Sequence, residues 1–323
     1  MKPVGITTTI PVEAVFAAGY MPVDLNNIFI TDRQAGKLVE AAERRGFPRS
    51  LCSWVKGIYG ALIARDDINL VIAVTEGDCS NTVSLLETLK HAGKEVITFA
   101  YPYDRDPAML RCEIEKLAAK LGTTPGDAEK TKEDLLSLRK KLHELDRMTW
   151  EDNIVTGGEN HIYQVTASDF NGDPVKFEKD LDDFIGAARG RAPFSGIRLG
   201  YAGVPPIFSD IYSFLEERGA RVIFNEMQRQ FTMPSGGGTL VEQYLNYTYP
   251  YDMKSRIADI RSEIKKRKIG GLIHYIQSFC HHQIEDIVLR ESVDIPVLTM
   301  EGDRPGPLDG RSRLRLEAFL ETL

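Results

Sequence analysis

The segment that decides the fold lies at residues 69–82 and reads NLVIAVTEGDCSNT. It opens with a short apolar run rich in β-branched side chains, which is typical of a buried strand in a parallel sheet. A helix is predicted to follow, because apolar residues recur at helical spacing between Val83 and Leu89. Residues 95–99, which read EVITF, then predict a second strand. Together these elements make a βαβ unit in which Cys79 lies at the carboxyl end of the first strand.

The same plan recurs on both sides of this segment. An amino-terminal strand is predicted at residues 4–7, and Pro11 fits the first turn of the helix that follows it. In the second half, the predicted elements are a strand at residues 196–201, a helix at 207–217, and strands at 221–224, 270–276 and 295–301, before a closing helix around residues 314–319. Cys280 follows the strand at 270–276 and therefore also lies where a strand ends and a helix begins.

The region between the two α/β units is predicted to be helical. Leucines at positions 135, 138, 142 and 145 alternate spacings of three and four residues, which indicates one buried helical face. We therefore expect an α/β protein with an amino-terminal α/β domain at residues 1–125, a mainly helical connector at 126–195, and a carboxyl-terminal α/β domain at 196–323. The glycines at 236–238 predict a mobile surface loop, with a lid or docking loop as the alternative.

Composition excludes several classes of function. The chain has 323 residues, 42% of them hydrophobic, and a formal net charge of −7. We expect no nucleic-acid partner, because no basic block is available to neutralise phosphates. We also expect no membrane span, since no apolar run approaches the roughly 20 residues that one requires. The opening residues lack the apolar core of a signal peptide, so a cytoplasmic location is expected.

Four cysteines occur, at positions 52, 79, 112 and 280. In a reducing cytosol they are not expected to form disulfides, and no CxxC pair predicts a zinc ribbon or a ferredoxin loop. Cys112 falls among charged residues, off the apolar stripe of its predicted helix, and is interpreted as incidental. Cys52, Cys79 and Cys280 each precede a predicted helix, and ligands collect at the carboxyl ends of strands in doubly wound sheets.

Three thiols could therefore converge on one cleft between the domains. Thiolates are the usual ligands of iron–sulfur clusters, and helix amino termini beside them would stabilise negative charge. Burial as small apolar side chains is the alternative that spacing leaves open.

Few other residues suggest chemistry. His281 could relay protons beside Cys280, because histidine titrates near neutral pH, and Glu76 could do so beside Cys79. Helix capping and exposure to solvent are the alternatives for both. Lys56 is expected to be a solvated lysine on a helix, although it could interact with a negatively charged cofactor.

Several motifs, taken in order along the chain, carry a resemblance to a known family. They are GITTTIPVE at residues 5–13 with AAG at 17–19, PRSLCSWVK at 48–56, EGDC at 76–79, FCH at 279–281 and EGD at 301–303. In these stretches the chain resembles the 2-hydroxyacyl-CoA dehydratases and benzoyl-CoA reductases, a family that includes the double-cubane cluster proteins.

The resemblance implies two flavodoxin-like, doubly wound parallel-sheet domains that hold an iron–sulfur cluster through three cysteines per subunit. Those cysteines map onto Cys52, Cys79 and Cys280. Family members receive electrons from a separate iron–sulfur activator that hydrolyses ATP. In the dehydratases the electron forms a ketyl radical of a hydroxyacyl thioester; in the double-cubane proteins, two four-iron units joined by a sulfide span a homodimer and reduce small molecules.

The chain begins almost directly at the GIT motif, without the amino-terminal extension of the dehydratase subunits. This favours a homodimeric reductase with an 8Fe–9S double cubane. The alternative is a dehydratase-like subunit with one 4Fe–4S cluster and an acyl-CoA substrate. Two readings from other classes stay open: a metal-free module that binds a small ligand in its cleft, and a scaffold that passes its cluster to another protein.

Overall fold

We describe a computed structural model of the protein that covers residues 1–323. The strands form two separate four-stranded parallel sheets, one in each half of the chain. The first sheet contains β1 (Lys2–Ile6), β2 (Tyr20–Asp24), β3 (Leu70–Glu76) and β4 (Glu95–Ala100), and the second contains β5 (Ile197–Gly203), β6 (Ala220–Asn225), β7 (Gly271–Gln277) and β8 (Val297–Gly302). The strand orders are β2-β1-β3-β4 and β6-β5-β7-β8, so the two sheets share one topology. The predicted α/β class with two flavodoxin-like units is confirmed.

Helices cover both sheets and fill the space between them. In the first unit these are α1 (Val12–Ala17), α2 (Leu25–Thr31), α3 (Ala35–Arg45), α4 (Ser53–Ile63) and α5 (Ser80–His91). The helices between the sheets are α6 (Pro107–Leu121), α7 (Pro125–Asp134), α8 (Leu136–Trp150), α9 (Gly157–Thr166) and α10 (Pro174–Ala188), with a 3₁₀ turn at Phe170–Gly172. The second unit has α11 (Ile211–Glu216), α12 (Glu226–Gln230), α13 (Leu240–Leu245), α14 (Met253–Arg267), α15 (His282–Ser292) and α16 (Gly310–Leu320).

The leucine stripe predicted in the connector is confirmed. Leu138, Leu142 and Leu145 on α8, and Leu135 just before it, are buried in one apolar core with residues of β1 and β3. A second apolar core joins the two sheets directly, because it contains both Val71 of β3 and Ile273 of β7. The two α/β units therefore pack against each other through apolar surface, which holds the carboxyl edges of both sheets around a common space.

The helix predicted at residues 207–217 was placed too early. It begins at Ile211, because the residues just before it pair with a distant segment of the chain. Phe208 forms a parallel β-bridge with Gly306, and the Ser209 N–H donates to the Gly306 carbonyl at 2.8 Å. Elsewhere, the loop at residues 236–238 lies at the surface, where the Gly238 carbonyl accepts a hydrogen bond from buried Lys132. No helix combines the length and the apolar character that crossing a bilayer requires.

Candidate functional site

The three cysteines singled out by the sequence lie in loops that lead into helices. Cys79 follows β3 and is the N-cap residue of α5, and Cys52 occupies the same position before α4. Cys280 follows β7 and lies two residues before the first residue of α15. Since β3 and β7 run parallel to their neighbours, Cys79 and Cys280 both lie at the carboxyl edge of a sheet.

All three cysteines line one cavity of about 340 Å³, which we call the thiol cavity. Its walls come from both α/β units and from the segments between them. Apolar walls are formed by Ile30, Trp54, Val55, Ile58, Val204, Pro205, Met227, Phe231 and Pro250. Polar residues at the wall include Thr7, Thr8, Thr9, Asp24, Asn26, Asn27 and Gln277. Folding therefore places Cys280 at the same cavity as two thiols that lie more than two hundred residues before it in the chain.

The thiols are close enough to influence one another. Burial raises the pKa of Cys280 to about 12, and the neighbouring Cys52 and Cys79 raise it too. Burial also raises the pKa of Cys52 and Cys79, although backbone N–H groups of the following helical turn lower both. For Cys52 those N–H groups belong to Trp54 and Val55. The raised pKa values keep the three thiols protonated, and a bound cation would favour their thiolate forms because it offsets the negative charge.

This donor set fits an iron–sulfur cluster. Such clusters bind soft cysteine thiolates that face a common space, and amide N–H groups near the sulfurs stabilise their negative charge. Cys52, Cys79 and Cys280 would supply three ligands. The fourth cysteine, Cys112, is exposed on α6 and does not line the cavity. One position of a four-iron cluster would therefore need another ligand.

Gln277 lies beside Cys52 and was not singled out by the sequence. Its side-chain carbonyl oxygen Oε1 is 3.9 Å from the Cys52 sulfur. Its amide nitrogen donates to the hydroxyl of Tyr275, which also accepts a hydrogen bond from the Ile207 N–H at 3.2 Å. Gln277 is thus a fixed polar group at the end of an apolar strand. That position was the only sequence signal that could have identified it.

Two histidines follow Cys280 and crowd its sulfur. One ligand atom from each of Cys280, His281 and His282 lies within 4.8 Å of the others. His281 is exposed, whereas His282 is held by its neighbours: its Nδ1 pairs with Glu285, and its Nε2 lies 3.1 Å from the Tyr249 hydroxyl. A proton on Nδ1 pointing to Glu285 leaves Nε2 as the acceptor from Tyr249.

A buried ionic chain supports this arrangement from behind. Arg256 donates to Glu226 at 2.7 Å and to Glu285 at 2.7 Å, and both Arg256 and Glu226 are almost completely buried. Opposite charge lowers the pKa of Glu226, although burial opposes this effect. The chain from Glu226 through Arg256 to Glu285 therefore fixes the position of His282 next to Cys280.

The acidic residues around Cys79 differ in placement. Glu76 is exposed, its carboxylate accepts a hydrogen bond from the Tyr103 N–H at 3.3 Å, and it is not among the residues that line the thiol cavity. Asp78 does line the cavity, and burial raises its pKa to about 6. Its carboxylate accepts from the Thr82 hydroxyl at 3.0 Å. Of the two proposed relay residues, His281 lies at the cavity and Glu76 does not.

Lys56 departs from the sequence expectation. It was expected to be solvated, but it is buried, and its ammonium group pairs with Glu43 at 2.8 Å and donates to the Arg49 carbonyl at 3.3 Å. The reason is that α4 packs between α2, α3 and α5, so that nearly every residue of the helix is buried. Lys56 therefore ties the Cys52 loop to α3.

Comparison with known families bears on the whole chain. A family model described as "2-hydroxyglutaryl-CoA dehydratase, D-component" matches residues 7–323. The matched region includes the three cysteines of the thiol cavity and every strand except β1. No curated protein matches the chain.

Proposed function

The chain belongs to the benzoyl-CoA reductase and 2-hydroxyacyl-CoA dehydratase family, and we propose that it is a low-potential iron–sulfur component within it. Cys52, Cys79 and Cys280 hold the cluster, and a separate activator that hydrolyses ATP supplies electrons to it. When bound by these three cysteines, the cluster would supply low-potential electrons for the reduction of a small molecule in the thiol cavity. The observation that carries the proposal is that three distant cysteines line one cavity.

The cluster supplies the low-potential electron, and the residues of the chain supply binding and position. Gln277 approaches the Cys52 sulfur, and the ionic chain behind Glu285 fixes His282 beside Cys280. His281 lines the same cavity, which supports the proposal that it relays protons there. Glu76 is not retained in that role, because its side chain is exposed and does not line the cavity.

A homodimer is part of the proposal. Phe279, Ile284, Ile287 and Val288 have large apolar side chains that are between 45% and 73% exposed. They lie beside Cys280 and along one side of α15, where spacings of three and four residues place side chains together. Apolar surface of this kind next to a cysteine ligand supports contact with a second subunit, which would bring the two clusters together as a double cubane.

The size of the thiol cavity bears on the substrate. Ligand pockets commonly measure about 300–1,000 Å³, and this one is about 340 Å³. A cavity of that size suits a small molecule, which favours the reductase. The family description favours the second candidate, a 2-hydroxyacyl-CoA dehydratase-like subunit, in which the acyl end alone would enter the cavity.

Anaerobic purification followed by turnover assays tests the proposal. We expect a brown protein with iron and acid-labile sulfide, and about nine rather than eight sulfides per dimer if the cubanes are bridged. With activator, ATP and reductant, the reductase consumes hydroxylamine, whereas the dehydratase converts 2-hydroxyglutaryl-CoA. Transfer of the iron to an apo-protein without turnover would indicate a scaffold. A colourless protein with three free thiols would refute the proposal and favour a metal-free binding module.

A further inference from the structure

A row of buried polar groups ends at the sulfur of Cys52. The Ile207 N–H donates to the Tyr275 hydroxyl at 3.2 Å, and the amide nitrogen Nε2 of Gln277 donates to the same hydroxyl. The other end of that carboxamide, Oε1, lies 3.9 Å from the Cys52 sulfur. We call these four residues the Cys52 row. The side chains of Tyr275 and Gln277 are almost completely buried, so water does not replace any of these contacts.

Packing fixes the position of the row. Gln277 is the last residue of β7 and pairs with Gly302 of β8. A Cβ atom on Gly302 would lie 2.0 Å from the Tyr275 hydroxyl oxygen, so that hydroxyl fills the space beside the glycine. The Ile207 carbonyl accepts from the Gly306 N–H at 3.3 Å, which holds the other end. The carboxamide of Gln277 therefore has a fixed place between the tyrosine and the cysteine.

The present orientation of that carboxamide suits a protonated Cys52. The thiol can donate its S–H to Oε1, whereas a sulfur bound to iron has no proton and only accepts. With a cluster bound, Oε1 would face a negatively charged sulfur with no hydrogen between them. At the other end, the Tyr275 hydroxyl accepts both of its hydrogen bonds, so its own proton has no acceptor.

Turning the carboxamide by 180° corrects both ends. The oxygen and nitrogen of a carboxamide exchange places in this rotation, and the shape of the side chain stays the same. Oε1 then accepts from the Tyr275 hydroxyl, and Nε2 donates to the Cys52 sulfur. The Ile207 N–H keeps its acceptor. Every donor in the Cys52 row then has a partner, as buried polar groups require.

We propose that Gln277 donates an N–H···S hydrogen bond to Cys52 when that sulfur binds the cluster, and that this bond raises the reduction potential of the cluster. Tyr275 is the positioning residue that orients the carboxamide. The inference rests on the proposed function, because it requires a cluster on Cys52. An added electron makes the sulfurs more negative and strengthens a hydrogen bond to them, so the bond favours the reduced form.

Direct binding of Oε1 to iron is the alternative, and two observations count against it. It keeps the present orientation, in which the proton of the buried Tyr275 hydroxyl has no acceptor. Carbonyl oxygens also suit hard cations, whereas the iron of these clusters prefers soft sulfur ligands. Donation to the sulfur satisfies the whole row, and ligation of iron does not.

Three variants test the role of the carboxamide. Gln277→Met keeps an unbranched side chain of similar length but has no N–H group to donate. Tyr275→Phe keeps Gln277 and removes the hydroxyl that orients it. Gln283→Met is the matched control. The Gln283 amide lies in the same region, 3.4 Å from the Gln277 backbone carbonyl, but Gln283 does not line the thiol cavity.

The first readout is the reduction potential, from an EPR-monitored redox titration of the chain reconstituted with iron and sulfide without oxygen. We expect Gln277→Met to keep its iron and to shift to a more negative potential. The expected shift is a tenfold lower ratio of reduced to oxidised cluster at a fixed solution potential, which is about 59 mV for one electron. Tyr275→Phe should shift the same way by a smaller amount, and Gln283→Met should match the wild type.

An unchanged potential in Gln277→Met with full iron content would overturn the inference. If Gln277→Met fails to fold or to bind iron, Tyr275→Phe decides the question: a negative shift supports the hydrogen bond, and a wild-type potential overturns it. A wild-type chain that binds no iron at all would instead overturn the proposed function, and this inference with it.

The second readout separates donation from ligation. In a crystal structure of the iron-loaded chain, we expect the end of the Gln277 side chain at hydrogen-bond distance from the Cys52 sulfur and outside bonding range of every iron atom. Pulsed EPR of the reduced cluster, in a chain labelled with ¹⁵N at the glutamine side chains, should show a weak ¹⁵N coupling that Gln277→Met loses and Gln283→Met keeps. A bond from Gln277 to iron, or no ¹⁵N coupling in the wild type, would overturn the inference.

Discussion

The ends of β3 and β7 are the same place in two copies of one topology, yet they are built differently. Each strand lies third in its sheet, and a residue with positive φ follows it before a cysteine and a helix. After β3 that residue is Gly77, with φ of 89°; after β7 it is Phe279, with φ of 64°. A glycine adopts this conformation freely, whereas a phenylalanine does so only with strain.

The surroundings explain the glycine but not the phenylalanine. A Cβ atom at Gly77 would lie 2.8 Å from the Tyr101 Cβ and 2.9 Å from the Pro250 Cβ, so packing requires glycine there. Phe279 is 61% exposed. The loop before Cys79 is thus fixed by packing. The loop before Cys280 instead contains Phe279, whose backbone is strained and whose ring is exposed beside a proposed ligand. Backbone strain of this kind often accompanies function.

The largest expected effect concerns the cysteines themselves. If both strand ends hold the same cofactor, then Cys79→Ala and Cys280→Ala should each abolish the brown colour and most of the bound iron, because each removes one of three thiolate ligands. Iron content after anaerobic purification measures this. Cys112→Ala is the control and should keep its full iron content. A full complement of iron in Cys280→Ala would show that the loop after β7 does not hold the cofactor in the way that the loop after β3 does.

The next effect concerns the ionic chain, which supports only the second loop. Glu226→Gln leaves the buried Arg256 with Glu285 as its remaining charged partner, and we expect a loss of about 3 kcal/mol in the free energy of unfolding. Urea denaturation of the cluster-free chain measures it. Glu40→Gln removes an exposed partner of Arg44 and should leave stability unchanged. If Glu226→Gln and Glu40→Gln change the free energy of unfolding equally, the ionic chain does not support this loop.

Packing at the first loop predicts a similar or slightly smaller effect. Gly77→Ala combines left-handed strain with close contacts to Tyr101 and Pro250, so we expect a loss of about 2–3 kcal/mol in unfolding free energy. Gly93→Ala is the matched control: its φ is 83°, but nothing lies within 4 Å of the added Cβ. That control should lose only about 1 kcal/mol. If Gly77→Ala loses no more unfolding free energy than Gly93→Ala, packing does not fix this loop.

The smallest effect is expected at the second loop. Phe279→Gly relieves about 1 kcal/mol of backbone strain but adds a similar conformational entropy to the unfolded chain. The unfolding free energy should therefore stay within about 1 kcal/mol of the wild type. Dimerisation, measured by analytical ultracentrifugation, should weaken if the exposed ring contacts a second subunit. A loss of stability above about 2 kcal/mol would show that Phe279 is a packing residue after all.

Sequence patterns were sufficient for the repeated architecture. The β-branched run at residues 69–75 predicted a buried parallel strand, and a second strand was predicted at 270–276. Placing cysteines after these strands followed from the rule that ligands collect at the carboxyl ends of parallel strands. The leucine spacing on α8 predicted its buried face. These features are local, so a few consecutive residues determine them.

Long-range contacts were beyond the reach of those patterns. Lys56 was expected in solvent, because nothing in the sequence shows that α4 would be enclosed by three other helices. Asp24 and Asp169 are 145 residues apart and meet only through tertiary packing. Glu76 was assigned to the site from its nearness to Cys79 in the chain, but alternate residues of a strand point to opposite faces. Features set by neighbouring residues could be predicted, whereas contacts between residues far apart in the chain could not.

Anomalous diffraction at the iron edge, from a crystal grown without oxygen, tests the central claim most directly. The account predicts iron peaks inside the thiol cavity, within bonding distance of the sulfurs of Cys52, Cys79 and Cys280 together. Iron bound elsewhere, or three free thiols around a cavity without iron, would contradict it.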